Sequence, residues 1–147
     1  MAVMLIEGVV LILRDRWGRF YLVKELNDKP HIGKICGMLS FPMETSGENE
    51  IPLHAVLRLI EEEVGARIQG DPTYLGKLFF EADLEHHITS YTIHVFVAEI
   101  NPVTRPHPHD TQDVAVYGWV PLAWLRDPPS GTRLRREMRR IIDMIDN

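Results

Sequence analysis

The chain has a single cysteine, Cys36, among 147 residues. One thiol cannot close an internal bridge, and no Cys/His pair has zinc-ligand spacing. A disulfide scaffold and a structural zinc module are therefore excluded, and a reducing, cytoplasmic setting is expected. Long hydrophobic runs are also missing. The apolar start, residues 1–13, contains Glu7, has no basic residues ahead of it, and falls short of the roughly 20 residues of a membrane-spanning helix. It reads as a buried strand rather than a leader or an anchor. Basic residues are in deficit: 16 Lys and Arg against 21 Asp and Glu give a net charge of -5. That argues against a general nucleic-acid coat, because binding to phosphate backbones rests on clustered Lys and Arg in excess. No internal repeat, linker or low-complexity stretch interrupts the chain. What remains is one globular domain over residues 1–147, long enough to bury a core without staples.

Along the chain, residues 3–13 are rich in Val, Ile and Leu, residues 15–19 supply a turn, and residues 20–25 form a second strand, together a hairpin signal. A polar stretch with Pro30, Gly33 and Gly37 leads to a short segment at 38–41, stopped by Pro42, and the chain is polar again over 43–51. Residues 52–64 make the clearest helix. Pro52 suits its first position, Gly65 suits the residue after its last, and Leu53, Val56, Leu57, Ile60 and Val64 recur at helical spacing, in a sector centred on Leu53. Strands at 74–82 and 88–100 follow as an antiparallel pair, then a loop with Pro106, His107, Pro108 and His109, a last strand at 114–120, a short helical turn at 121–125, and an amphipathic helix over 133–145. Strands interspersed with helices predict an α/β (α+β) domain, a mixed sheet covered by helices.

The central helix ends on Glu61, Glu62 and Glu63. Acids there oppose the negative end of the helix dipole, at about 0.3–1 kcal/mol each, and repel one another. A positive partner should offset them. On the helical wheel Glu62 lies opposite the apolar sector, Glu63 about 100° away, and Leu59 between them, outside the core sector. Arg58 sits one turn before Glu62 and can pair with it. Hard oxygen ligands of this kind suit Mg²⁺ or Mn²⁺ bridging to phosphates; a solvated acidic face held by Arg58 is the plainer alternative.

The run Arg58-Leu59-Ile60-Glu61-Glu62-Glu63-Val64-Gly65-Ala66, eight positions after Glu50, resembles the Nudix box, R-E-U-x-E-E-x-G-U with U aliphatic. The lead-in Gly37-Met38-Leu39-Ser40-Phe41-Pro42-Met43-Glu44 resembles the G-x-W-x-F-P-G-G that precedes it in many members, and Gly118-Trp119-Val120-Pro121-Leu122 is similar to the strand and turn before the last Nudix helix. The resemblance implies an α-β-α sandwich with a mixed β-sheet and Mg²⁺- or Mn²⁺-dependent hydrolysis of a pyrophosphate linkage in a nucleoside diphosphate-X type compound. It implies that Glu62 and Glu63 bind metal, that Arg58 orients them, that Glu50 is the upstream acid of the metal site, and that the Met43 carbonyl is a backbone ligand. Arg58, Glu62 and Glu63 are thus the expected catalytic set. A nucleotide or related diphosphate is the expected small-molecule partner, and many relatives pair as homodimers.

The sequence departs from this pattern at three places. Met43-Glu44 replaces the glycine pair, Leu39 the tryptophan, and Leu59 the glutamate that is a ligand or base in many members. A base would then come from Asp110, Asp113, Glu81, Asp83 or Glu85. The alternative is a catalytically inactive Nudix domain that binds a nucleotide-like ligand as a sensor or partner module. Elsewhere, His107 to Asp110 and Glu85-His86-His87 read as polar loop and turn residues with metal or phosphate contact as the sharper option. His94 reads as a hydrogen-bonded sheet residue, and Trp17 and Trp124 as half-buried aromatics able to stack on a base. Arg133, Arg135, Arg136, Arg139 and Arg140 read as the basic flank of the last helix, with Glu137, Asp143 and Asp146 able to pair with them and a phosphate or nucleic-acid contact as the sharper option.

Overall fold

The computed structural model describes residues 2–29, 34–84 and 87–145, with the backbone alone at 2–4, 82–84, 87 and 89. Glu85 and His86 lie outside the described residues. Strand β1 (Ala2–Arg14) runs on through the turn to β2 (Phe20–Glu25), β3 (Leu39–Ser40) and β4 (Met43–Thr45). Helix α1 (Pro52–Leu59) continues as a wider π-turn (Ile60–Val64). It is followed by β5 (Thr73–Leu84), β6 (His87–Glu99), β7 (Val114–Val120), α2 (Leu122–Arg126) and α3 (Met138–Ile142). The strands form one seven-stranded mixed sheet in the order β3-β2-β1-β6-β5, with β4 on β1 and β7 on β2. The β1–β6 pairing is parallel and the others are antiparallel. This is the α+β architecture with a mixed sheet that the interspersed strands and helices imply.

Alternation along β1 divides the core. Val9, Leu11 and Leu13 join Tyr21 and Val23 beneath α1, while Val10 and Ile12 join Phe20, Leu22 and Phe41 beneath α3. Four expectations need correction. The polar stretch after Pro42 contains a strand, β4, held against β1 because Gly8 has no side chain; a Cβ there would lie 2.9 Å from the Glu44 carbonyl oxygen. The last helix is shorter than expected. The backbone at 133–135 is engaged with the sheet edge, Leu39 N–H donating to Arg133 (2.8 Å) and Arg135 N–H to Leu39 (2.9 Å), so helical bonding starts only near Met138. Trp17 is not half-buried but 65% exposed.

The fourth concerns the buried face of α1. Leu53 and Leu57 are 43% and 45% exposed, whereas Ala55, Val56, Leu59, Ile60, Glu63 and Val64 are buried. The helix is rotated by roughly 70° from the sector its apolar residues suggest. Leu59, expected outside the core, is fully buried in it.

Candidate active site

The loop before α1 folds Glu50 back on itself. Its carboxylate accepts the Gly47 N–H (2.8 Å), and Pro52 then opens the helix without needing a donor. One and a half turns on, Arg58 meets Glu50 as a fork, Nε to Oε2 at 3.2 Å and Nη2 to Oε1 at 2.8 Å. Arg58 Nη1 also donates to Glu44, and Nη2 to the Thr45 carbonyl at 3.3 Å. Its expected partner Glu62 is more distant, at 3.8 Å. The fork and the Gly47 N–H hold the Glu50 carboxyl down at about 2.

Strand alternation sends Met43 into the core beneath α3 and its neighbour Glu44 to the box side, onto Arg58. Burial pushes Glu44 up to about 7, Arg58 opposing and the nearby Glu62 carboxylate adding to it. The Glu44 Oε2 oxygen is buried and has no hydrogen-bond partner.

Glu63 follows Leu59 by four residues and shares its buried row, only 7% exposed. Burial pushes it up to about 8; Lys34 opposes the shift, and Glu44, Glu25 and Asp110 reinforce it. Lys34 lies 3.7 Å from Glu25, which is itself buried at the end of β2. Tyr21, fully buried, carries a hydroxyl without a partner, and burial with the added charge of Glu63 raises its pKa. Glu62 and Glu61 are exposed.

The helix end is closed from outside. The π-turn returns the Gly65 N–H to the Ile60 carbonyl (2.8 Å), and Gly65 takes the left-handed conformation, φ 65°. Loop N–H groups then cap the free carbonyls: His107 to Val64 (2.8 Å), His109 and Asp110 to Glu62 (2.9 and 3.0 Å). Any side chain at Gly65 would collide with the His107 carbonyl. The His107 to Asp110 loop is therefore a backbone cap, and it carries Asp110 close enough to act on Glu63.

The other candidate bases fall elsewhere. Asp113 is engaged by Lys29 (3.4 Å) and Asn27 (3.1 Å), and Glu81 stands exposed on the edge strand β5. Asp83 belongs to a segment whose side chains are not described. His94 is a sheet residue as expected, bonded to the Tyr74 hydroxyl at 3.0 Å. Glu25, Lys34 and Tyr21 were not anticipated. Period-two alternation of Tyr21, Val23 and Glu25 from β2 was the available signal, since it puts all three on the α1 side.

Among the described residues, no three acidic, histidine or cysteine side chains converge closely enough to close a cation cage. The donors are hard oxygens in charge excess, one of them orphaned. They fit a divalent ion held by one or two carboxylates that keeps waters and meets phosphate oxygens. Behind β4 lies a cleft lined by Lys34, Met43, Glu44, Tyr91, Arg135 and Glu137. There Glu137, fully buried, ion-pairs with Arg135 (3.5 Å) and Arg136 (3.3 Å).

The fold matches several solved structures. A MutT NUDIX hydrolase from Burkholderia pseudomallei is similar at 20% identity over 97% of this chain and 99% of that one, with a TM-score of 0.74. A MutT protein from Methanosarcina mazei Go1 gives 17%, 97%, 94% and 0.71, and a NUDIX hydrolase from Nitrosomonas europaea 17%, 95%, 86% and 0.69. No curated protein matches in sequence. At these identities the structural likeness speaks for the fold, and membership rests on the sequence pattern itself: the NUDIX domain model matches residues 4–142, and the chain belongs to the Nudix family.

Proposed function

We propose that the protein hydrolyses a pyrophosphate linkage in a nucleoside diphosphate-X type compound with Mg²⁺ or Mn²⁺, at Glu62 and Glu63 with Arg58 orienting the site. The observation that carries this reading is Glu63, buried among Glu44, Glu25 and Asp110 with Lys34 as the cation opposing them. A bound divalent cation would supply phosphate-charge neutralisation and a lowered water pKa. Arg58 holds Glu44 and Glu50 in fixed geometry, and Glu62 lies within its reach. Glu50 has both oxygens on Arg58, so its contacts support an orienting role more than the ligating one expected for it. Glu44 Oε2 is free to accept a proton from water near neutral pH, a role for which Leu59 has no atom. The Met43 carbonyl, next to Glu44 on β4, is kept as the backbone ligand of this reading.

No helix among the described residues is long and apolar enough to cross a membrane. The reading places the activity in the cytoplasm, on a small-molecule nucleotide or related diphosphate, with homodimer formation a further expectation. A second reading, an inactive nucleotide-binding domain, is favoured by Lys34, whose ammonium already opposes the acids where a metal ion would act.

The test is a screen of nucleotide sugars, ADP-ribose, dinucleoside polyphosphates and nucleoside triphosphates with Mg²⁺ or Mn²⁺, beside Glu63→Gln. Turnover by the parent that falls about 10²-fold or more in the variant supports the hydrolase. Calorimetric binding of a nonhydrolysable nucleotide without any turnover supports the inactive domain instead.

A further inference from the structure

A second concave surface lies apart from the box, where residues 15–19, residues 100–106 and β7 meet. The groove has a volume of about 530 Å³ and is lined by Trp17, Trp119, Arg16, Arg19 and Arg105, with Asp15 as its carboxylate. That carboxylate is already engaged: Asp15 accepts the N–H groups of Trp17 (3.0 Å) and Arg19 (2.9 Å) and binds Arg19 Nε at 2.8 Å. Arg19 is thereby neutralised. Among the described residues, Arg16 and Arg105 have no carboxylate partner, and both are exposed. Two uncompensated guanidinium groups flanking one groove stand out on a chain of net charge -5.

The aromatic part is equally specific. Trp17 is held out of the core by a turn with two backbone bonds, Asp15 N–H to Arg19 (2.9 Å) and Gly18 N–H to Asp15 (3.1 Å). The Arg16 guanidinium lies 4.2 Å from its ring centre. Trp119 is anchored from behind by Tyr21, with ring centres 5.5 Å apart. The facing loop is fixed by Asn101 N–H to Arg67 (2.8 Å) and Thr104 N–H to Asn101 (3.0 Å). Arg19 also lies over the Trp17 ring, 5.1 Å from its centre, so an incoming ring would displace a guanidinium from the indole face. Exposed indole beside two cations that no carboxylate neutralises, on segments tied in place, is a surface for a planar ring bearing negative charge.

We propose that this groove is a second ligand site, separate from the box, for a nucleoside phosphate: the base stacks on Trp17 and the phosphate is held by Arg16 and Arg105. The site requires ring and anion together, because neither the indole nor the two arginines alone account for the arrangement. It stands independently of the hydrolytic reading, since none of its groove residues belongs to the acidic cluster.

The test follows the indole N–H resonance of Trp17 by ¹H–¹⁵N NMR as AMP, adenosine or inorganic phosphate is added to the full chain. AMP should shift it saturably, with adenosine and phosphate each at least about tenfold weaker. Combined Arg16→Ala and Arg105→Ala should weaken AMP about tenfold or more, while Glu63→Gln leaves the titration unchanged. The proposal is overturned by a Trp17 resonance that does not move, by phosphate alone matching AMP, by a shift that survives loss of both arginines, or by a shift that disappears in Glu63→Gln. Hydrolysis by the parent in any of those cases would leave the activity assigned to the box intact.

Discussion

The two flanks of the box helix treat their acids in opposite ways. Around Arg58 the carboxylates are answered but for one oxygen: Glu50 takes the fork, Glu44 takes Nη1 with its Oε2 left unpaired, and the Thr45 carbonyl takes part of Nη2. Around Glu63 the neighbours are more carboxylates, with one lysine among them and a tyrosine hydroxyl that bonds nothing. A network with its hydrogen bonds made holds a shape; a buried acid surrounded by its own sign is costly until something cationic arrives. The first flank therefore reads as scaffold and the second as the place where a ligand's charge is needed.

The strongest way to break that comparison is Leu59→Glu. It restores the residue type that the box ordinarily has, but puts another carboxylate into the unbalanced flank at a fully buried position. It should destabilise the metal-free protein by about 3–5 kcal/mol in urea unfolding. Unchanged stability, or a gain in turnover, would show that the flank already accommodates more charge than its burial indicates.

Arg58→Ala attacks the balanced flank. Because the arginine is about one-third exposed, the cost is smaller, about 1–3 kcal/mol, from leaving Glu44 and Glu50 unpaired, with metal affinity or activity reduced about 10–100-fold. Glu63→Gln should act in the opposite direction on stability, raising the metal-free melting temperature at pH 8 by a few degrees while lowering turnover about 10²-fold or more.

The same asymmetry has a pH signature. Glu63 and Glu44 hold protons in the folded protein up to about 8 and about 7, against 4.5 for an ordinary glutamate. Over that interval the folded state binds more protons than the unfolded one, so their contribution to stability is complete below about pH 4.5 and is lost as pH rises through 7 to 8. Thermal melts of the metal-free protein should therefore decline from pH 5 to 8, Mg²⁺ or Mn²⁺ should flatten the decline, and Glu63→Gln should remove much of it. The smallest effect is expected at Leu53→Ala and Leu57→Ala, each within about 1 kcal/mol, because both residues are nearly half exposed.

Much of the fold was legible in local pattern. The apolar runs of β1 and β2, the strand at 114–120, and the Pro52 and Gly65 boundaries of the helix coincide with the structure because each rests on a short-range rule. The elements that differ share another origin. The wheel put Leu53 and Leu57 inward because it weighs one helix alone, whereas packing on β1 and β2 selected the row of Ala55, Leu59 and Glu63. The start of α3 was set too early because nothing local announces that Arg133 and Arg135 bond to Leu39. Of the site, Arg58, Glu62 and Glu63 could be found by spacing; alternation along β2 puts Tyr21 and Glu25 on the α1 side without saying what they meet there, and nothing local brings Lys34 to them.

By itself the sequence determined the box, its helix and the surplus of acid near it, since those are properties of neighbouring residues. The tertiary structure decided which of the acids are answered. Arg58 reaches back to Glu44 and Glu50 across a loop, while Glu63 is turned into a space that β2, β4 and the loop at Asp110 fill with further negative charge. Burial and the sign of distant neighbours are three-dimensional quantities, and they are what separate an acidic residue that builds the site from one that awaits its cation.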